Sequence, residues 1–365
     1  MNQNFVLPDI WRTDAVVAGG VSLAVCIFLI LTKRWHGKLS MDSAVGVQKF
    51  HTAPTPRIGG VAIVAGVIAG YALVSNDVAA AAKREILLAI LLAGIPAFIF
   101  GLLEDLTKRV SVRARLLATI GSGVLGWGIT GVSVTQVGIP GADWLLGFTV
   151  VSVVFTGIAV GGVANAINII DGFNGLAAGA VLIMLTAFGI IAQEVGDIPL
   201  AFSCLVIAGA VAGFWLVNWP YGKIFLGDGG AYFVGFALAW IAVLLPHRNP
   251  AVSYWTSLLV CAYPVLEVLF SYIRKSKREG HAPGKPDRVH LHMLVYQRVA
   301  RKMFPDATAA LQNGLTSPFV WLFAAIPASL AILTAKNLLT AAGAFVMCAV
   351  IYARLYYRVS RFKWY

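Results

Sequence analysis

Charge is scarce in this sequence. Asp, Glu, Lys and Arg make up 12% of its 365 residues, about half the share of an ordinary soluble domain. A conventional water-soluble enzyme is thereby excluded. Cysteine is scarce too: Cys26, Cys204, Cys261 and Cys348 all stand in apolar runs, and no CxxC pair occurs. That excludes a disulfide scaffold and a cysteine zinc site, and leaves small hydrophobic packing as their use. Acids are fewer than bases, 16 against 28. The chain has no internal repeat, no low-complexity tract and no polar stretch long enough for a separate soluble domain.

What fills the chain is apolar sequence, 59% of it, with a mean hydropathy of +0.81. A membrane helix needs about 20 mostly apolar residues to cross the hydrocarbon core. Eleven such segments lie near 14–32, 58–75, 86–103, 116–133, 147–164, 175–192, 199–217, 230–246, 253–273, 317–334 and 337–354. The expectation is an all-α polytopic membrane protein of about eleven helices, one multi-span domain over 1–365. Pro264 is expected to kink or break the ninth segment. The first segment is expected to be a retained helix rather than a signal peptide, because Lys33, Arg34 and Lys38 follow the apolar run instead of preceding it.

Orientation follows from Lys and Arg, which accumulate in cytoplasmic loops. With the N-terminus outside, the cytoplasmic connections are 33–57, 104–115, 165–174, 218–229, 274–316 and the C-terminal tail. These hold 23 of the 28 basic residues, against 5 on the other side. The net charge of +12 is therefore mainly a topology signal, and no nucleic acid is implied.

Nearly all the polar residues suited to chemistry fall on that cytoplasmic side, in loops near 48–60, 101–115, 165–179, 218–231 and 274–316. Asn168 and Asp228 are hard oxygen ligands in glycine-containing turns, as Mg²⁺ prefers when shared with phosphates, with Mn²⁺ as the alternative. Gly172, Gly175, Gly227, Gly229 and Gly230 allow close backbone approach to phosphate. Arg113, Arg115, Arg288, His290 and His292 supply cations for a pyrophosphate, and Phe225 a stacking face for a base. Together these read as nucleotide-linked phosphoryl transfer at a membrane surface.

Plainer readings stand beside these. Asn165 suits a hydrogen bond between helices, Asp171 a helix N-cap or a site residue, and Arg57 a topology anchor or a ligand contact. Glu267, inside the ninth segment, faces a cavity or a partner helix and has no assigned role. LHMLVYQRVARKMF, residues 291–304, suits a short amphipathic helix.

The stretches TPRIGG, NAINIIDGFNGLAAG, FLGDGGA and DRVHLH resemble the polyprenyl-phosphate N-acetylhexosamine-1-phosphate transferases. The resemblance covers roughly residues 45–295, with the motifs in order and on one face. It implies ten or eleven membrane helices in the bacterial inner membrane and a cytoplasmic active site. Its substrates are a UDP-sugar and a polyprenyl phosphate, its product besides the lipid-linked sugar is UMP, and a homodimer is a possible assembly. Carried over by motif, Asn168 and Asp228 are the metal ligands, Asn174 contacts uracil and Phe225 stacks on it. Arg113 matches a basic residue after the family's acidic pair, and His290 with His292 matches its histidine motif. The acidic pair is Glu104–Asp105 here, where the family has two aspartates, and Met293 stands where a further histidine is usual. Glu104 is either a base toward the lipid phosphate or an orienting group, and transfer is either direct or through a covalent intermediate. GlcNAc is the expected sugar, with O-antigen or another surface polysaccharide as the pathway. The alternatives are the phospho-MurNAc-pentapeptide translocase and, from another class, a membrane transporter.

Overall fold

A computed structural model of the chain describes residues 9–42, 54–276 and 289–361. Apart from a two-residue antiparallel bridge, Met41–Asp42 with Thr55–Pro56, its regular structure is helical. Among the described residues, seven helices are long and apolar enough to cross a membrane: Thr13–Leu31, Thr149–Ile170, Leu176–Glu194, Ile198–Asn218, Gly227–Arg248, Ala309–Thr334 and Leu338–Ser360. Two bent pairs raise the number to as many as nine. Ala81–Ala93 and Ile95–Thr107 meet at 42°, across Gly94 and just before Pro96. Tyr254–Val260 and Ala262–Ser276 meet at 79°, and Pro264 in the first turn of the second explains that break. Two of the eleven apolar segments fall outside this set. Gly59–Leu73 has 15 residues, about 22 Å of helix against a hydrocarbon core of about 30 Å. Val112–Thr130 opens on Arg113 and Arg115.

The helices are arranged around Gly227–Arg248. Of its apolar stretch 94% is buried inside the protein, against 17% for Leu338–Ser360, so the first is the central strut and the second lies on the rim. A helix apolar all round belongs in such a place. Its neighbours are Gly59–Leu73, Ile95–Thr107, Thr149–Ile170 and Leu176–Glu194.

Small residues let these backbones close on the first turn of the strut. A Cβ on Gly101 would come 2.6 Å from the carbonyl carbon and oxygen of Asp228. One on Gly60 would overlap the backbone nitrogen and Cα of Gly230. Gly60→Ala is therefore expected to force the two helices apart and to lower stability by roughly 1–3 kcal/mol. Thermal unfolding of the detergent-purified variant checks this; an unchanged midpoint would contradict the close crossing.

The far end of the strut is also tied. The Arg248 guanidinium donates to both oxygens of Asp197, at 2.7 and 3.0 Å, and Asn249 adds a bond of 3.0 Å. These partners hold the Asp197 carboxyl below its usual range, although its burial alone acts in the opposite direction.

Candidate active site

The polar centre of the bundle is built on the N-terminus of the Gly227–Arg248 helix. Gly227 has φ of +73°, a turn that a side chain would strain, and a Cβ there would also meet the Asp105 carboxylate. The turn exposes the first backbone N–H groups of the helix, which have no partner within it. Asp105, fully buried near the end of Ile95–Thr107, supplies one. Its Oδ1 accepts the N–H of Asp228 at 2.9 Å and its Oδ2 that of Gly229 at 2.8 Å. An acid capping a helix start in this way is favoured by both hydrogen bonding and the helix dipole.

Arg57 reaches the same point along a short extended segment. Phe225 N–H donates to Pro56 O at 2.8 Å, while Gly59 and Gly60 donate to Phe225 O and Leu226 O at 2.9 Å each. Thus laid beside residues 225–226, Arg57 places Nε 3.1 Å from Asp105 Oδ1 and Nη2 2.9 Å from Asp228 Oδ1. The Asn168 amide, from the last turn of Thr149–Ile170, donates to Asp228 Oδ1 at 3.2 Å. Arg115 pairs with Asp228 Oδ2. Three segments separated in sequence therefore converge on the Asp228 carboxylate, while a fourth, through Asp105, holds its backbone.

Several expected site residues flank this centre. Glu104 is turned away from Asp105: its Oε2 accepts the N–H of Val110 at 2.8 Å and so shapes the loop leading to Arg115. Arg113 is exposed. Asp171 follows the Thr149–Ile170 helix as its C-cap, and Gly175 holds the N-cap position before Leu176, which corrects the N-cap reading. Enclosure pushes the Asp171 carboxyl up to about 7, with Arg57 opposing and Asp105 assisting. Asn165 makes no side-chain hydrogen bond among the described residues. Phe225 is half-buried beside Arg57.

Asn174 is pinned from three directions. Its N–H donates to Asn313 Oδ1 at 2.7 Å, its amide to Pro220 O at 3.0 Å, and its carbonyl accepts from Ser317 at 2.7 Å.

The histidines form a second cluster. His290 is bonded to Glu267, and the His292 ring stacks parallel to it with centroids 5.4 Å apart. His292 is wholly buried, packs edge-on against Phe173 and leaves both ring nitrogens without a partner among the described residues. Burial pushes it down to about 4, so the ring is neutral at pH 7. Residues 291–303 are helical, as expected, but the face of Leu291–Val295 is buried in the bundle. Arg288 and parts of the 48–60 and 274–316 loops lie outside the described residues.

Among the described residues no group of three or more His, Cys, Asp or Glu side chains is placed to hold a metal ion. The donors that do meet are the Asp228 carboxylate and the Asn168 amide, whose oxygen a half-turn brings forward. One carboxylate and one amide oxygen suit Mg²⁺, which leaves most of its octahedral shell to phosphate oxygens and water.

Two points lay beyond the sequence: which of the two candidate cations Arg113 and Arg115 faces the bundle, and what Glu267 meets. Arg113 and Arg115 sit about 200° apart around a helix, so only one can face the bundle, and it is Arg115. Glu267 meets His290 and Tyr352 across 23 and 85 residues; the signal was a lone acid in an apolar segment.

Residues 87–246 match the family described as Glycosyl transferase family 4. The match contains every residue of the Asp228 centre except Arg57 and stops short of Glu267 and the histidines. The chain is 25% identical over 273 residues to the undecaprenyl-phosphate alpha-N-acetylglucosaminyl 1-phosphate transferase of Yersinia pestis, covering 73% of each chain. It is 26% identical over 280 residues to the protein of the same name in Escherichia coli (strain K12), covering 75% of this chain and 74% of that one.

Proposed function

We propose, from the premise that this chain is a glycosyl transferase family 4 protein through residues 87–246, that it moves a sugar 1-phosphate from a UDP-sugar to a polyprenyl phosphate. UMP is released, the sugar is an N-acetylhexosamine such as GlcNAc, and the product begins O-antigen or another surface polysaccharide. The observation that carries the proposal is the meeting of Arg57, Asp105, Arg115, Asn168 and Asp228 on one helix N-terminus. The names of the two bacterial relatives support the same chemistry. In this reading the bundle crosses the bacterial plasma membrane eleven times with its N-terminus outside and the Asp228 end cytoplasmic. The placement of 23 of 28 basic residues in the same set of loops supports that orientation.

Arg57 and Arg115 bring two guanidiniums to the place where a pyrophosphate needs positive charge, and the helix N-terminus adds its dipole. Asp228 and Asn168 would hold Mg²⁺, which would supply charge to offset the phosphates and polarise the reacting phosphorus. An oxygen of the lipid phosphate forms the new bond to the sugar-side phosphorus. The bond from that phosphorus to the bridging oxygen breaks, and UMP leaves with the electron pair. Asp105 keeps the Asp228 turn fixed throughout. Phe225 and Asn174 lie in adjoining segments and serve the uracil end.

Glu104 orients the 108–111 loop in this mechanism and is no obligatory base, because a phosphate monoester with a second pKa near 6 is already largely dianionic at pH 7. Glu104→Gln, whose amide oxygen can still accept from Val110, is expected to keep measurable activity that rises as pH passes about 6. A rate flat at background from about pH 6 to 9 would assign Glu104 the base role instead.

The test of function is UMP release by purified protein given polyprenyl phosphate and a panel of UDP-sugars that includes UDP-GlcNAc and UDP-MurNAc-pentapeptide. Release with an amino-hexose donor supports the proposal. Release with the pentapeptide donor alone would make the protein a peptidoglycan translocase, and no release at all would return it to transport.

A further inference from the structure

We infer that Glu267 is a positioning residue for the donor subsite: its buried carboxylate accepts from His290 Nδ1 and orients the ring, which is held as an imidazolium between that carboxylate and the UDP-sugar and donates Nε2–H to a phosphate oxygen. The inference rests on the transferase reading above. It concerns a residue beyond the region matched to the family, which ends at 246.

Glu267 is 1% exposed and lies past the 79° bend, in Ala262–Ser276. Its Oε1 is 2.8 Å from His290 Nδ1 and accepts the N–H of Leu291 at 3.1 Å. Its Oε2 accepts the Tyr352 hydroxyl at 2.9 Å. An ionised carboxylate only accepts, so the hydrogen between Glu267 and His290 belongs to Nδ1. Nε2 is then the ring's remaining polar atom, and it bonds to no described residue. The carboxylate also ties down the start of Leu291–Val295, the helix that carries His292.

The direction in which this pair faces is given by its neighbours. His292 stacks on His290 with the planes 5° apart. A Cβ on Gly172 would come 3.2 Å from His292 Nε2. The histidines therefore abut the 165–179 segment that carries Asn168 and Asp171.

Packing alone does not account for an acid here. Burying a carboxylate costs several kcal/mol even when it is paired. A glutamine could accept from Nδ1 and Leu291 and donate to the Tyr352 oxygen, filling the same positions without charge. What only the carboxylate supplies is a negative charge: it favours the charged ring, whose Nε2–H can donate to a phosphate oxygen, whereas beside a glutamine the neutral ring would turn a lone pair toward it.

The test compares Glu267→Gln, Tyr352→Phe, His290→Ala and the Glu267→Gln/His290→Ala double variant, with the UDP-sugar selected by the panel and undecaprenyl phosphate. Glu267→Gln is expected to raise KM for the UDP-sugar by roughly tenfold. Its kcat, its KM for the lipid and its melting midpoint should change little. Tyr352→Phe should move the same KM in the same direction by less, and it stands in if Glu267→Gln does not purify. On the His290→Ala background, Glu267→Gln should add nothing, since its effect runs through the missing ring. Independent, multiplying effects, or equal shifts in both KM values with a lowered midpoint, would make Glu267 merely structural. A wild-type KM in His290→Ala would remove the subsite while leaving the transferase standing. A wild-type protein that releases no UMP would remove both.

Discussion

Asp228→Ala is expected to lower turnover by about a thousandfold or more while the protein still inserts and purifies, with a melting midpoint lowered less than in Asp105→Ala. The two halves of this expectation have separate causes. The side chain is the shared partner of Arg57, Arg115 and Asn168, so its loss dissolves the charge arrangement and removes one of the two proposed metal donors. Electrostatic stabilisation of a transferring phosphoryl group is worth several kcal/mol, and each 1.4 kcal/mol is about a factor of ten. The backbone N–H of Asp228, in contrast, stays bonded to Asp105, and Asp105 keeps Arg57. The helix start therefore survives. UMP release at saturating substrates measures the first half and thermal unfolding the second. Activity within tenfold of wild type would take Asp228 out of the reaction, and Asn168→Ala should fall in the same direction.

Asp105→Ala should damage stability more than Asp228→Ala does, and rate as well. Asp105 is fully buried, and its two oxygens serve Asp228 N–H, Gly229 N–H and Arg57 together. Removing it leaves two backbone donors and part of a guanidinium without partners. Breaking a buried ionic contact from one side costs about 3–5 kcal/mol, and orphaned donors add to that. The helix start is then free to shift, carrying Asp228 with it, and activity should fall to about 1% or below, since a displacement near 1 Å costs about a hundredfold. Asp105→Asn, which keeps one acceptor oxygen, should be intermediate in both measurements. A wild-type midpoint in Asp105→Ala would mean that the cap carries no weight.

Comparing these two aspartates also shows how far the sequence could be read. Apolar runs announce helices because the bilayer demands about 20 such residues, and each of the eleven segments lies on a helix or a bent pair in the structure. Asn168 and Asp228 were legible as partners because few polar residues interrupt an apolar chain. The division of labour was not. Glu104 and Asp105 look like an acidic pair in sequence, but neighbours on a helix point about 100° apart. One therefore caps the strut and the other holds the 108–111 loop. Asn174 reads as a ligand contact, yet its anchors Asn313 and Ser317 lie 139 and 143 residues further on. No local pattern reports a contact at that separation. The same holds for Glu267 and Tyr352, and for Arg57, which proved to bridge two aspartates.

The strut that bears Asp228 is sheathed in other helices along nearly its whole length and clamped at both ends, by Asp105 and by Asp197. Its 22 residues span about 33 Å, yet lipid barely touches it. Mismatch between a helix and its bilayer is relieved by tilt or by local thinning of the lipid. Both act on lipid-facing segments such as Leu338–Ser360. The depth of Asp228 is thus uncoupled from acyl-chain length. Reconstitution into short- and long-chain phosphatidylcholine should tilt the rim and leave the intrinsic rate of the reacting centre nearly the same.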